Sequence, residues 1–180
     1  MSYSLSPTAP TAWESLLEPL YEPNERLKIE WAIGSVFSGD AAHLIQKMYV
    51  FFGPPGSGKS TVMNIIDRLF EGHTASFSAY EMGRADSQFS LEPFARNPLV
   101  AIDQDGDMSR IEANKHLNSI VSHDRVVINV KGKNLFTIKP RSTLFGGTNE
   151  AVKISDRRSG LLRRLVDIRP TGVTLDESDY

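Results

Sequence analysis

Residues 53–60, with the sequence GPPGSGKS, constrain this chain more than any other feature because they match the pattern G-x-x-x-x-G-K-[ST] in full. Glycines at these places let backbone N–H groups turn inward around a phosphate group. An apolar run, Met48–Phe52, precedes the loop, and apolar residues follow it at helical spacing over residues 59–70. The pattern therefore predicts a buried strand, a phosphate-binding turn and an amphipathic helix, in that order.

The loop has the chemistry of nucleoside triphosphate binding. We expect Lys59 to reach the β- and γ-phosphates of ATP, and the Ser60 hydroxyl to bind Mg²⁺. The helix that begins here directs the positive end of its dipole at the same anion. The residues predicted to bind the nucleotide are Gly53, Pro54, Pro55, Gly56, Ser57, Gly58, Lys59, Ser60 and Thr61.

A second apolar run, residues 99–102, ends in acidic residues. Asp103 follows the run directly, and Gln104 separates it from Asp105. A strand that delivers carboxylates at its end suits the Mg²⁺ and water site of a nucleotide-hydrolysing enzyme. We expect Asp103 to bind Mg²⁺ and Asp105 to orient or deprotonate the attacking water. The alternatives are a solvated acidic turn and an Asp-rich loop that caps the next helix at Asp107 or Ser109.

Between this strand and the next lie two short β-branched runs, residues 126–130 and 135–138, which predict a hairpin. Lys131 and Lys133 occupy its tip, and Phe136 is expected by alternation to be buried. Lysines on a protruding loop suit contacts to a nucleic-acid backbone, which give affinity without sequence preference. Lysine also protects the edges of ordinary hairpins, so both interpretations stay open.

A further strand is predicted over residues 142–145, with Gly146 and Gly147 expected to end it. Asn149 follows and is a candidate neighbour of the γ-phosphate and the attacking water, although turn asparagines are also common after glycines. Arginine can complete the phosphate site of a neighbouring copy, and a solvated basic surface is the alternative. The later arginines are Arg157, Arg158, Arg163, Arg164 and Arg169.

Composition excludes several kinds of site. The 180 residues include no cysteine, which excludes disulfides, thiolate metal sites and cysteine nucleophiles. The net charge of −2 excludes a wholly basic nucleic-acid coat but permits a local basic patch. No apolar run approaches the roughly 18 residues of a membrane span, and no signal peptide is visible. We therefore expect a soluble cytosolic protein without a membrane partner.

Alternating strands and helices predict an α/β fold with a mainly parallel sheet and helices on both faces. We expect a disordered lead (1–10), an N-terminal helical segment (11–45), an ATPase core (46–170) and a polar tail (171–180). Within these, Asn24 is a candidate N-cap, a short strand is expected over residues 76–81, and helical spacing covers residues 109–121.

Taken together, the order of these motifs resembles that of the superfamily 3 helicases of small DNA viruses, plasmids and phages, a branch of the AAA+ ATPases. Within that family it resembles the helicase domain of phage and plasmid primase–helicase proteins, and the resemblance covers residues 13–172. The resemblance implies a P-loop AAA+-like core with an inserted hairpin. It also implies ATP hydrolysis at the subunit interfaces of a homo-oligomeric ring, typically a hexamer, that moves along single-stranded or forked DNA.

Site roles follow from the same resemblance. It implies that Asp103 and Asp105 form the acidic motif, that Asn149 is the polar sensor, and that Arg163 or Arg164 is the arginine finger given to the next subunit. Lys131 and Lys133 would contact DNA. The acids are separated by Gln104 where the family has a tight acidic pair, which leaves open which acid is catalytic.

The resemblance also implies a primase, polymerase or origin-binding domain, either fused to this chain or supplied by a partner. We expect the sequence to be a piece of a longer polypeptide. A non-translocating AAA+ ATPase that loads a helicase or regulates replication is an alternative function, against which the basic hairpin argues. A small-molecule or nucleoside kinase is a further alternative, and it would need an acceptor pocket and an arginine-rich lid.

Overall fold

Every neighbouring pair of strands in the main sheet is parallel, which confirms the predicted fold class. The computed structural model describes residues 10–84, 87–108, 111–154 and 160–174. Five strands form the sheet: β1 (Met48–Phe52), β2 (Thr74–Ser76), β3 (Val100–Asp103), β6 (Thr143–Thr148) and β7 (Leu165–Ile168). Their spatial order is β2-β3-β6-β1-β7. The strands β4 (Val126–Ile128) and β5 (Phe136–Ile138) pair with each other as an antiparallel hairpin outside this sheet.

Helices cover both faces of the sheet. They are α1 (Thr11–Leu20), α2 (Pro23–Val36), α3 (Ala42–Ile45), α4 (Lys59–Leu69), α5 (Ala79–Met82) and α6 (Lys115–Val121). Successive residues of β1 point to opposite faces. Tyr49 and Phe51 pack with α1, α2 and α4, whereas Met48 and Val50 pack with α5, α6 and the hairpin. Of the helices that the structure describes, none combines the length and the apolar character of a membrane span.

Three predicted element boundaries were wrong. The strand expected over residues 76–81 lies at Thr74–Ser76, because the Ser78 hydroxyl accepts a hydrogen bond from the Glu81 N–H and caps α5 instead.

Helix α6 begins at Lys115, and Ile111 forms a parallel bridge with Ile154. The predicted start of that helix at residues 109 and 110 lies outside the described residues. Helix α2 begins at Pro23, which suits a first helical turn, so Glu22 and not Asn24 occupies the N-cap position.

Strand β6 continues through Gly146 and Gly147 to Thr148, so the expectation that these glycines end the strand was wrong. Both glycines pair in register with β1, opposite Val50 and Phe51. A Cβ atom at Gly147 would lie 2.5 Å from the carbonyl oxygen of Gln104. The glycines therefore permit the close approach of another backbone within the sheet.

The hairpin is closed at its base by a buried histidine. His123 Nδ1 lies 3.1 Å from the carbonyl oxygen of Pro140, which joins the residues before β4 and after β5. At the tip, Gly132 has a φ of +77°, and the Lys133 N–H donates to the carbonyl oxygen of Val130 at 3.0 Å. Phe136 is 36% exposed, so the expectation that it is buried was wrong. It lies on the two-stranded ribbon of β4 and β5, outside the five-stranded sheet.

We expect His123 to make the fold less stable at acidic pH. Burial is the main cause that lowers the pKa of His123, with smaller contributions from His43 and Lys139, while the bond to Pro140 acts in the opposite direction. The unfolded chain therefore takes up this proton near the ordinary pKa of about 6.5, and the folded chain only at lower pH. Stability is lost as the pH falls through this window.

His123→Asn should reduce the loss of unfolding free energy between about pH 8 and about pH 5, measured by urea denaturation. Asparagine tolerates the left-handed backbone of this position, where φ is +57°. His73→Asn changes an exposed histidine and serves as the control. An equal loss in wild type and His123→Asn would exclude His123 as the source of the pH dependence.

Candidate functional site

The carboxyl ends of three strands meet at one edge of the sheet, because β6 lies between β1 and β3. The Gly53 N–H, directly after β1, donates to the carbonyl oxygen of Thr148 at 3.2 Å. The Gly106 N–H, in the loop after β3, donates to the carbonyl oxygen of Gly147 at 2.8 Å. The phosphate loop, the acidic loop and Asn149 are therefore held side by side.

The phosphate loop has the conformation that its sequence predicts. Gly56 and Gly58 have φ values of +75° and +82°, a region that glycine adopts without steric cost. Helix α4 begins at Lys59 with no side-chain cap, so its first N–H groups are left to bind an anion. The Ser57 hydroxyl donates to the carbonyl oxygen of Pro54 at 2.7 Å and braces the turn.

Lys59 is folded back over this loop. Its ammonium donates to the carbonyl oxygens of Gly53 and Pro54, at 2.8 and 2.7 Å. An ammonium has three N–H donors, so one remains for a ligand. Burial lowers the pKa of Lys59, and the nearby charge of Asp105 raises it. The loop thus presents a cation and free N–H groups together, which fits a phosphate chain.

A cavity of about 350 Å³ opens beside the loop, within the size range of small-molecule sites. It brings together nine of the residues predicted from sequence, among them Lys59, Ser60, Asp105 and Asn149. The Asn149 Nδ2 donates to Asp105 Oδ1 at 3.4 Å. The lining residues are Pro55, Gly56, Ser57, Gly58, Lys59, Ser60, Thr61, Gln104, Asp105 and Asn149.

Asp103 does not line this cavity, which differs from the expectation that it lies on the metal side. Strand alternation turns it to the same face as Ala101, away from α4. There its carboxylate accepts a hydrogen bond from the Ala79 N–H at 2.7 Å and packs against Gly106. Burial raises the pKa of Asp103, the bond from Ala79 lowers it, and Asp105 raises it. Asp103 therefore joins the end of β3 to α5.

Two residues near the cavity were not singled out from sequence as members of the site. Gln104 lines the cavity, and its Nε2 donates to Asn64 Oδ1 at 2.7 Å. Asn64 lies on α4, four residues after Ser60. Residues at this spacing share a helix face, and this relation was the available sequence signal.

The two candidate arginine fingers lie at the opposite edge of the sheet. They precede Leu165, which pairs with Met48 at the start of β1, whereas the phosphate loop follows its end. Arg164 donates to Asn118 Oδ1 at 3.0 Å and to Gln46 Oε1 at 3.3 Å, so its guanidinium is engaged within the chain. Arg163 is exposed. The candidates Arg157 and Arg158 lie outside the described residues.

Both flanks of the core pack against the phosphate loop. A Cβ atom at Gly58 would lie 2.7 Å from the buried side chain of Leu20, and one at Gly53 would lie 2.7 Å from the ring of Pro170. Thr171 joins the two flanks: its N–H donates to the carbonyl oxygen of Leu20, and its hydroxyl to that of Pro19, both at 2.8 Å. The end of α1 and the segment after β7 thus enclose the loop.

We expect Asp103→Ala to lower the unfolding free energy by about 1–3 kcal/mol, because the buried Ala79 N–H loses its acceptor. Asp103→Asn keeps an acceptor oxygen at the same place and should lose less. Urea denaturation of both variants near neutral pH measures the difference. Equal losses would show that the hydrogen bond to Ala79 is not what Asp103 contributes.

Comparison with known proteins places the chain in a family. Residues 51–164 match the model of a "Family of unknown function (DUF5906)". A DNA primase-polymerase of Nitratiruptor phage NrS-1 is 25% identical over 122 residues, which is 63% of this chain and 16% of that protein. The chain therefore spans about a sixth of the length of this relative.

Solved structures show the same fold. The apo NrS-1 C-terminal region (305–718) matches with a TM-score of 0.70 at 18% identity, over 95% of this chain and 42% of that one. A JCV helicase matches with a TM-score of 0.56 at 16% identity, over 86% and 43%. The family match includes the phosphate loop, the acidic loop, the hairpin and Asn149, and it covers more than half of the sequence. The chain belongs to the family of unknown function DUF5906.

Proposed function

We propose that this chain is an ATP-hydrolysing DNA helicase module of a phage, plasmid or viral replication protein, acting as a superfamily 3 helicase. The observation that carries the proposal is the cavity in which the Lys59 ammonium meets Ser60, Asp105 and Asn149. The fold shared with the JCV helicase supports it, as does the likeness to a DNA primase-polymerase.

ATP and Mg²⁺ fit the groups that face the cavity. The phosphates would take the third N–H of Lys59 and the free N–H groups of α4. Mg²⁺ prefers oxygen ligands, and the Ser60 hydroxyl and the Asp105 carboxylate supply them. Asp105 thus takes the metal role expected of Asp103, whose carboxylate is bound to Ala79. When bound, Mg²⁺ neutralises charge on the β- and γ-phosphates.

Hydrolysis in this site depends mainly on position and charge. The water oxygen forms a bond to the γ-phosphorus. The bond from that phosphorus to the β–γ bridging oxygen breaks, and its electron pair stays on ADP. The proton that the water loses goes to the phosphate product or to solvent. Lys59 would stabilise the charge that develops, and Asn149, which donates to Asp105, would contact the γ-phosphate.

The same proposal includes a ring of identical subunits, with six as the expected number. Among the described residues that line the cavity there is no arginine. Arg163 is exposed at the opposite edge of the sheet, where a neighbouring copy could receive it, whereas Arg164 is bound to Asn118 and Gln46. We therefore favour Arg163 as the arginine finger.

Single-stranded or forked DNA is the proposed track, bound by Lys131 and Lys133. Both lysines are exposed beside Gly132 at the hairpin tip. With a net charge of −2 on the chain, affinity would come from several hairpins acting together in a ring. A primase, polymerase or origin-binding domain, fused or supplied by a partner in the cytoplasm, would complete the replication protein.

The first test is ATP hydrolysis across a series of protein concentrations, with and without single-stranded DNA. Specific activity should rise with protein concentration, because the arginine comes from a neighbouring subunit. It should rise again when single-stranded DNA is added. Lys59→Ala should reduce turnover to background, since it removes the cation that stabilises the developing charge. Specific activity that is independent of both protein concentration and DNA would exclude the shared active site of a ring and favour a helicase loader or a kinase.

The second test concerns the hairpin. Lys131→Ala combined with Lys133→Ala should weaken binding to single-stranded DNA and make it less dependent on salt, because two phosphate contacts are lost. Binding of a fluorescent ATP analogue should stay unchanged. Lys115→Ala with Lys153→Ala, two lysines away from the hairpin, is the matched control. Normal DNA binding by the hairpin variant would contradict the assignment.

A further inference from the structure

We propose that Gln104 orients the water that attacks ATP, and that Asn64 positions Gln104 for this task. The inference rests on the proposed ATP hydrolysis and adds two residues to it. Gln104 lines the cavity together with Lys59, Ser60 and Asp105. In the sequence it stands between the two acids, Asp103 and Asp105.

The side chain of Gln104 is held at one end. Its Nε2 donates to Asn64 Oδ1 at 2.7 Å. A primary amide carries its donors and its acceptor on different atoms, so a nitrogen engaged by Asn64 leaves the Oε1 acceptor for a ligand. Water is a ligand of the right size and polarity for an acceptor at the wall of this cavity.

The backbone of Gln104 is held as well. Its carbonyl oxygen lies against Gly147, where a Cβ atom would approach it to 2.5 Å. Two residues later, the Gly106 N–H donates to the carbonyl oxygen of Gly147 at 2.8 Å. Backbone and side chain are thus both tied to neighbouring elements, which restricts the positions that the amide can take.

Neither Asp103 nor Asp105 is assigned to orient the water, and the Gln104 amide can take this role. Asp103 faces α5, and Asp105 is the carboxylate assigned to Mg²⁺. An amide oxygen accepts a hydrogen bond from water and fixes its direction without taking the proton, a role that glutamine fills in other phosphoryl-transfer sites. Ser60 and Asn64 lie one turn apart on the same face of α4. Asn64, which positions Gln104, therefore lies next to Ser60, which is proposed to bind Mg²⁺.

The test compares turnover with nucleotide binding. Gln104→Leu should lower kcat for ATP hydrolysis by about a hundredfold because the water loses its positioning, while the affinity for a fluorescent ATP analogue stays within about twofold. Asn64→Leu should lower kcat less than Gln104→Leu does. Asn64→Asp still accepts a hydrogen bond from the Gln104 amide and should retain most of the wild-type kcat. The double variant Asn64→Leu with Gln104→Leu should be no slower than Gln104→Leu alone, because the two residues act as one unit.

Asp67→Leu makes a polar-to-apolar change on the exposed surface of the same helix and should turn over like the wild type. Gln104→Glu keeps an acceptor oxygen, and we expect it to retain at least about a third of the wild-type kcat. A wild type that hydrolyses ATP beside a Gln104→Leu variant with equal kcat would overturn this inference and leave the proposed function standing. A wild type that binds but does not hydrolyse ATP at high concentration with DNA would overturn both.

Discussion

The parallel pairing of β6 with β1 on one side and β3 on the other is the constraint on which the candidate site depends. It brings the loops that leave the three strands to one edge, and backbone bonds from Gly53 and Gly106 to β6 hold two of them there. Gly147 makes this possible, because a side chain there would collide with the backbone of Gln104. A strand with larger residues here would push the acidic loop away from the phosphate loop.

The polar residues at this edge divide into two groups by the way in which they are held. Asp103 is buried and bound to a backbone N–H, so it maintains the arrangement of β3 and α5. Asp105, Gln104 and Asn149 line the cavity and interact mainly through side chains. The proposed chemistry uses this second group, because a group that binds a substrate needs polar atoms that the fold has not already satisfied.

Much of the fold was predictable from local patterns. The phosphate loop, β1, α4 and the hairpin follow from periodicity and turn residues, which act over a few neighbours. The orientation of Asp103 was not predicted. Strand alternation puts Asp103 on the same face of β3 as Ala101, but no local pattern indicates which face of the strand α5 covers. The contact of Asn64 with Gln104 joins residues 40 positions apart, and the continuation of β6 through two glycines depends on Gln104 and Met108. Such features need the assembled sheet.

The packing of Leu20 and Pro170 against the phosphate loop bears on how this loop can change during evolution. A side chain at Gly53 or Gly58 would enter space that atoms of Pro170 or Leu20 already fill. A descendant that had lost nucleotide hydrolysis would still be selected to keep these glycines for the sake of folding. Ser60 is exposed and has no comparable packing role, so its replacement is the mark by which an inactive member of the family would be recognised.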